Sequence, residues 1–331
     1  MMITDGLDMF RQKYLSHMVN KFYILLIAFC CLFISACSDD KNSKIHDLND
    51  KINDEQIGEA LHQHDGNNNR YLFGFDLRSS PQEDARQYLP FLKYLEKATG
   101  YQFHLQFTPK NSRIIDELGE NKVQFAALGA TSFIEAQMRY GVKPLVRGIN
   151  HQGKAEYQSM FVVRPKSNIK TLSELKGKRF AFGSQTSTQG HLIPRIILEE
   201  NNISLEKLMS YTYTGSHQNC ANSVISNKAD ICGMQDTMAK NMANQGLVKI
   251  LHTSNYYPSS GIAYNPDISN EVVEKMKQAL MAFDPKGKHK HNLYNWDKTE
   301  MPGGFTAAKS SDYDELLNWS VKLGFLQSVN N

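Results

Sequence analysis

Residues 157–194 most constrain the fold of this chain, because apolar runs alternate there with short polar loops. The pattern predicts a strand at 160–163, a short helix at 172–175 and a second strand at 179–183. A polar loop at 184–190 then opens another helix. Strands and helices that alternate in this way are typical of an α/β protein.

The 184–190 loop carries hydroxyl groups and leads into a helix, which suits it to one of two functions. The first backbone N–H groups of a helix have no partner within it, and the helix dipole favours negative charge there, so the loop predicts an anion site. In the alternative, Ser187 or Thr188 only caps the helix. The loop alone leaves both interpretations open.

Two further loops between a strand and a helix also carry hydroxyl groups. Thr131 and Ser132 follow a buried strand, and Ser216 and His217 follow a strand later in the chain. Ser216 and His217 either contact a ligand or have a structural role, Ser216 as a helix cap and His217 as a solvated residue of the first helical turn. Arg78, after the first strand, either reaches an anion or stays solvated.

Five segments occur in an order and at a spacing that resemble one protein family. They are YQS at 157–159, LKGK at 175–178, FAF at 180–182, STQG at 187–190 followed by Pro194, and GSH at 215–217. Each is weak alone, but together they resemble the phosphate-, phosphite- and phosphonate-binding proteins of ABC transporters, over about residues 71–283. The resemblance implies a two-lobed periplasmic binding protein of type II, with the ligand in the cleft between the lobes and a hinge of two strands.

The resemblance also implies a domain organisation and a set of ligand contacts. Lobe one would comprise residues 70–155 and 257–331, and lobe two residues 156–256. In lobe two the oxyanion would be held by Tyr157, Ser187, Thr188, Ser216 and His217, with Asp236, or Gln235 in its place, as a nearby acidic or polar residue. Lobe one would close over the ligand with Thr131, Ser132 and Arg78.

Two residues depart from the pattern of the family. Phe133 stands where the family often has a tyrosine, so a hydroxyl contact is absent there or is replaced by Thr131 or Ser132. Gln189 lies within the STQG segment. Both departures leave the identity of the oxyanion open.

The composition argues against several other functions. A formal charge of +3, dispersed along the chain, does not indicate nucleic-acid binding. There is no Walker loop, GxSxG elbow, HExxH motif or dinucleotide fingerprint, so we expect neither an enzyme nor a cofactor. The histidines of the 286–291 loop are interpreted as solvated, and we predict no metal site.

The amino terminus predicts export. Residues 22–36 form an apolar run of signal-peptide length, and the segment ISAC at 34–37 resembles a lipobox. We therefore predict a signal peptide at 1–36, with Met1 or Met18 as its start, a lipid on Cys37, and a polar tether at 37–69 on a periplasmic, membrane-anchored lipoprotein. An uncleaved anchor helix is the alternative, and the choice between inner and outer membrane stays open.

Cys220 and Cys232 remain after the signal peptide is removed. An exported protein can form disulfides, and the two cysteines fall on a predicted helix and the strand after it. A disulfide and two buried thiols are both compatible with this placement.

We therefore predict a lipid-anchored, monomeric substrate-binding protein of an ABC transporter that takes a small phosphorus oxyanion. A sensor of the same fold, which signals to a membrane kinase or cyclase, is the alternative. An enzyme on this fold is a third hypothesis, but Ser187 or Ser216 paired with His217 would still need an orienting acid and an oxyanion hole.

Overall fold

The structure, a computed structural model, describes residues 69–76 and 81–326, all within one compact unit. The predicted signal peptide, Cys37, the tether up to residue 68 and Arg78 lie outside the described residues. In the described part of the chain, no helix combines the length and the apolar character that a membrane crossing requires.

Thirteen strands and eight α-helices are assigned in the described residues. The strands are β1 (Arg70–Phe75), β2 (Gln102–Leu105), β3 (Phe125–Leu128), β4 (Lys143–Gly148), β5 (Glu156–Tyr157), β6 (Ser159–Val163), β7 (Arg179–Phe182), β8 (Ser210–Tyr213), β9 (Ile231–Gln235), β10 (Lys249–Thr253), β11 (Tyr257–Pro258), β12 (Gly261–Tyr264) and β13 (Phe305–Ala307). The helices are α1 (Pro81–Thr99), α2 (Ile114–Gly119), α3 (Ala130–Tyr140), α4 (Ile193–Glu200), α5 (His217–Ile225), α6 (Asp236–Asn244), α7 (Asn270–Met281) and α8 (Asp314–Lys322).

Two sheets form the centres of two lobes, which confirms the predicted fold class. The sheet of lobe one has the strand order β13-β4-β12-β3-β1-β2, and the sheet of lobe two has the order β10-β6-β9-β7-β8. In lobe one, β1 pairs in parallel with β2 and β3; in lobe two, β7 pairs in parallel with β8 and β9. The carboxyl ends of parallel neighbours lie at one edge of each sheet, where open α/β folds bind their ligands.

The core of lobe one follows from helical periodicity. Tyr88, Phe91, Leu92 and Leu95 recur at three- and four-residue spacing on α1 and are buried against the sheet. The helix ends before Gly100, whose φ of +74° is the left-handed conformation that terminates many helices.

A separate two-stranded sheet forms the hinge. β5 pairs antiparallel with β11, with Tyr157 opposite Tyr257, and both tyrosines are buried. The chain therefore passes between the lobes twice through this pair, as the predicted two-strand hinge requires.

The two cysteines form a disulfide. The sulfur atoms of Cys220, on α5, and Cys232, on β9, lie 2.09 Å apart. This finding decides between the two alternatives that the sequence left open. The bond fixes α5, whose first turn carries His217, to the central strand of lobe two.

The carboxy-terminal helix packs on lobe one, and the segment after it reaches lobe two. Tyr313, just before α8, contacts Phe133 of α3, with ring centroids 4.5 Å apart. Beyond the helix, the ring of Phe325 lies 4.4 Å from that of His191 in lobe two. The sequence did not predict this second contact.

Candidate functional site

A cavity of about 710 Å³ lies between the two lobes. Its volume is in the range of small-molecule sites. Lobe two contributes Ser184, Thr186, Ser187, Thr188, Gly215, Ser216, His217, Gln218, Gln235 and Met238. Lobe one contributes residues from the start of α1, the end of β3, the start of β12 and the segment 298–301.

Four helix N-termini meet at this cavity. The N-cap residues are Gly129 for α3, Ser187 for the π-helical turn Thr188–Leu192 that continues into α4, Ser216 for α5 and Gln235 for α6. All four line the cavity. Because each helix start carries unsatisfied backbone N–H groups and the positive end of a dipole, the arrangement favours an anion.

The two serines cap their helices and also face the cavity. Ser187 Oγ accepts a hydrogen bond from Gly190 N at 2.9 Å, and Ser216 Oγ accepts one from Asn219 N at 3.1 Å. Both serines therefore act as helix caps. This role is compatible with anion binding, since a hydroxyl that accepts from the helix keeps its own proton to donate.

His217 lies at the first position of α5 and lines the cavity. Its Nδ1 accepts a hydrogen bond from Gln235 N at 3.3 Å. A backbone N–H can only donate, so the proton of the neutral imidazole is on Nε2. The ring therefore carries a hydrogen-bond donor on a cavity-lining residue.

Glycine at position 190 allows this close packing. A Cβ on Gly190 would lie 3.0 Å from Cε1 of His217, 3.1 Å from the Cα of Gly183 and 2.9 Å from Oγ of Ser187. The loop and the imidazole are therefore packed directly against each other through a residue without a side chain.

We expect Gly190→Ala to weaken ligand binding about tenfold, because the added methyl group would displace the Ser187 hydroxyl and press on the His217 ring and the backbone of Gly183. Calorimetric titration of the variant with methylphosphonate measures the change, and circular dichroism checks the fold. An unchanged dissociation constant in a folded variant would show that the loop and the imidazole need not keep this separation.

Thr188 connects the two lobes beside the cavity. Its Oγ1 accepts a hydrogen bond from Thr131 N at 2.9 Å and lies 2.9 Å from Thr131 Oγ1. Thr188 also lines the cavity, whereas Thr131 and Ser132 are not among the lining residues of the described chain. All three are buried. Thr131 thus contacts Thr188 of the 184–190 loop and does not line the cavity.

Two other residues that are predicted to contact the ligand do not line the cavity. Tyr157 is in the hinge strand β5, and Asp236 is buried at the start of α6. The Asp236 carboxylate accepts hydrogen bonds from Thr237 N at 2.8 Å and Gln189 Nε2 at 3.3 Å, and it lies 3.5 Å from the Lys240 ammonium. Neither Tyr157 nor Asp236 lines the cavity in the described structure, so their contact with a ligand stays a prediction.

The sequence did not predict the charged side chains by which lobe one lines the cavity. Four carboxylates and one ammonium line it: Asp76, Glu83, Asp84, Glu300 and Lys298. Asp76 Oδ2 accepts a hydrogen bond from Gly129 N at 2.8 Å, which places one carboxylate at the start of α3. The sequence signal was the position of Asp76 directly after the first strand. The other charged residues are brought in by α1 and by segment 298–301, which are distant in sequence.

The family follows from a direct comparison. A family model described as "ABC transporter, phosphonate, periplasmic substrate-binding protein" matches residues 73–313. The chain belongs to this family. The resemblance inferred from the five segments is thereby confirmed, and the relatives are substrate-binding proteins rather than enzymes.

Two curated relatives agree. The chain is 27% identical to the phosphonates-binding periplasmic protein of Escherichia coli (strain K12) over 64% of its own length and 65% of that protein. It is 30% identical to a probable phosphite-binding protein of an ABC transporter from Prochlorococcus marinus (strain MIT 9301), over 43% of its own length and 45% of that protein. The matches thus span about two thirds and about half of these relatives.

Solved structures support the fold. The binding protein of a phosphonate ABC transporter from Pseudomonas aeruginosa superposes with a TM-score of 0.64 at 21% identity, over 76% of this chain and 86% of that one. The Prochlorococcus marinus (MIT 9301) protein in complex with methylphosphonate gives 0.67 at 18% identity, over 78% and 99%.

Proposed function

We propose that this chain is the extracytoplasmic substrate-binding protein of an ABC transporter and binds a small phosphorus oxyanion between its lobes. The observation that carries the proposal is the meeting of four helix N-caps at one cavity. The names of the two curated relatives, which specify phosphonates and phosphite, point to the same class of ligand.

In this proposal lobe two provides most of the donors to the oxyanion. Ser187, Thr188, Ser216 and His217 donate from side chains, and the helix N-termini add backbone N–H groups, so the oxygens of a tetrahedral anion are met from several directions. Tyr157 and Asp236 of lobe two remain predicted contacts, and lobe closure would bring Thr131, Ser132 and Arg78 of lobe one to the ligand.

The proposed location is the periplasm, with a lipid on Cys37. Its support is the apolar run at 22–36 and the ISAC segment before a polar tether. Mass spectrometry of the mature protein from cells tests this, because Cys37→Ala should abolish the lipid adduct.

The family description favours transport over the sensing alternative, since it names ABC transporters.

Thermal unfolding with a panel of anions tests the proposed ligand class. We expect the mature chain, carrying Cys37→Ser so that no lipid is attached, to be stabilised by one or more of phosphite, methylphosphonate, 2-aminoethylphosphonate and phosphate, but not by sulfate. A ligand at about 100 times its dissociation constant adds roughly 2.7 kcal/mol to the free energy of unfolding. No response to any of the four phosphorus anions would contradict the proposal.

A further inference from the structure

His191 directly follows the STQG segment, and the proposed binding does not use it. Its side chain is buried, with 6% of the residue exposed. The ring packs among three aromatic rings, those of Phe182, Tyr213 and Phe325, at centroid distances of 5.0, 4.7 and 4.4 Å. A phenylalanine would supply the same packing, so the polar atoms of the imidazole call for an explanation of their own.

Both ring nitrogens are hydrogen-bonded. Nδ1 lies 2.8 Å from the carbonyl oxygen of Gln185, and Nε2 lies 3.0 Å from the hydroxyl of Tyr213. A carbonyl can only accept, so the neutral ring carries its proton on Nδ1, and the Tyr213 hydroxyl donates to Nε2. The imidazole thus joins the 184–190 loop to strand β8.

The bond to Gln185 reaches the exposed tip of the 184–190 loop. Gln185 and Thr186 are exposed, whereas Thr188, two residues further on, is buried. At the other end of the loop, the Ser187 cap and the bond from Gly183 N to Gly190 O, 2.8 Å long, fix the backbone. His191 therefore ties the tip of the loop to the buried body of lobe two.

The His191 ring is covered by the segment that follows α8 of lobe one. Phe325 packs on His191, and the guanidinium of Arg195 lies 5.9 Å from the Phe325 ring. The ammonium of Lys322 lies 3.6 Å from the carboxylate of Glu199, an exposed pair that adds little. The imidazole is therefore held between the interior of lobe two and the carboxy-terminal segment.

We propose that His191 is a positioning residue for the anion site: its Nδ1–H holds the Gln185 carbonyl, which fixes the loop that places Ser187 and Thr188 at the cavity, and Phe325 keeps the ring in place. The part of this inference that concerns binding rests on the proposed function. The part that concerns the order of the loop is independent of any ligand.

Hydrogen exchange of the ligand-free mature chain with Cys37→Ser tests the order of the loop. We expect His191→Phe, which keeps the ring but loses both hydrogen bonds, to raise amide exchange in residues 184–190 about fivefold to tenfold. His191→Asn should raise exchange less than His191→Phe, because it loses the ring packing but its side-chain amide can still donate to Gln185. Tyr213→Phe is the matched control, since it removes only the hydrogen bond at Nε2 and should leave exchange of the loop within twofold.

Titration with methylphosphonate on the same variants tests positioning for binding. We expect the dissociation constant to rise about fivefold to tenfold in His191→Phe and less in His191→Asn, while thermal unfolding reports any general loss of stability separately. A second pair of variants tests the inference if His191→Phe does not fold. Phe325→Ala should raise amide exchange in the loop, because it removes packing on His191. Val321→Ala, on the exposed face of α8, is its control.

The outcomes separate the two proposals. The proposal that His191 positions the loop is overturned if amide exchange in the loop is unchanged in His191→Phe. It is also overturned if exchange rises as much in His191→Asn as in His191→Phe. Faster exchange with an unchanged methylphosphonate affinity overturns its importance for binding. A chain that binds none of the phosphorus anions but shows the expected exchange pattern contradicts the proposed function and leaves the positioning of the loop intact.

Discussion

Replacing His217 by alanine should weaken the binding of methylphosphonate roughly tenfold to hundredfold. The ring lines the cavity, and the bond that Nδ1 accepts from Gln235 N leaves Nε2 as the donor of the neutral imidazole. Hydrogen bonds to charged groups contribute about 1.5–3 kcal/mol, which gives the expected range. Isothermal titration of the mature chain with Cys37→Ser measures the loss.

His151→Ala is the matched control for this substitution. His151 is an exposed loop residue of lobe one and does not line the cavity, so its removal should leave the dissociation constant unchanged. His217→Gln should recover part of the affinity, because a carboxamide can donate from a position near that of Nε2. A folded His217→Ala protein with the affinity of the unsubstituted chain would remove the histidine from the proposed site.

Local patterns in the sequence predicted the strands, helices and loops around this cavity. The strand predicted at 179–183 is observed as Arg179–Phe182, and the loop after it presents Ser187 and Thr188 to the cavity. The same holds for Ser216 and His217 at the start of α5. Strand and helix periods are local, and the carboxyl ends of parallel strands meet at one edge, so loops at those ends come together without detailed knowledge of packing.

The sequence could not predict the direction of individual side chains or the contacts between residues that are far apart in the chain. The register of the hinge, in which Tyr157 lies opposite Tyr257, depends on pairing with a strand far along the chain. Asp236 turns towards Gln189, and Phe325 reaches His191 from beyond the last helix. Each of these contacts depends on how the two lobes and the carboxy-terminal segment pack, which no local period encodes.

We expect the free energy of unfolding to fall by about 3 kcal/mol as the pH is lowered from about 6.5 to about 4, through His191 alone. Burial is the main cause that lowers the pKa of His191 from 6.5 to about 4, and the positive charge of Arg195 acts in the same direction. Between these two values the unfolded chain binds a proton that the folded chain does not, so acid favours unfolding. Each unit of pKa difference is worth 1.36 kcal/mol.

The difference between the unsubstituted chain and His191→Phe isolates this contribution, because every other titrating group is common to both. The phenylalanine packs on the same three rings and has no proton to take up, so its stability should depend less on pH in this window by the same 3 kcal/mol or so. Urea unfolding at pH 7, 6, 5 and 4 measures the two curves. The two curves should diverge as the pH falls from about 7 to about 4 and run parallel above about pH 7, where the imidazole is neutral in both states. Parallel curves throughout would show that the imidazole takes up a proton in the folded protein as readily as in the unfolded chain, and that the ring is not held in the neutral form that accepts from Tyr213.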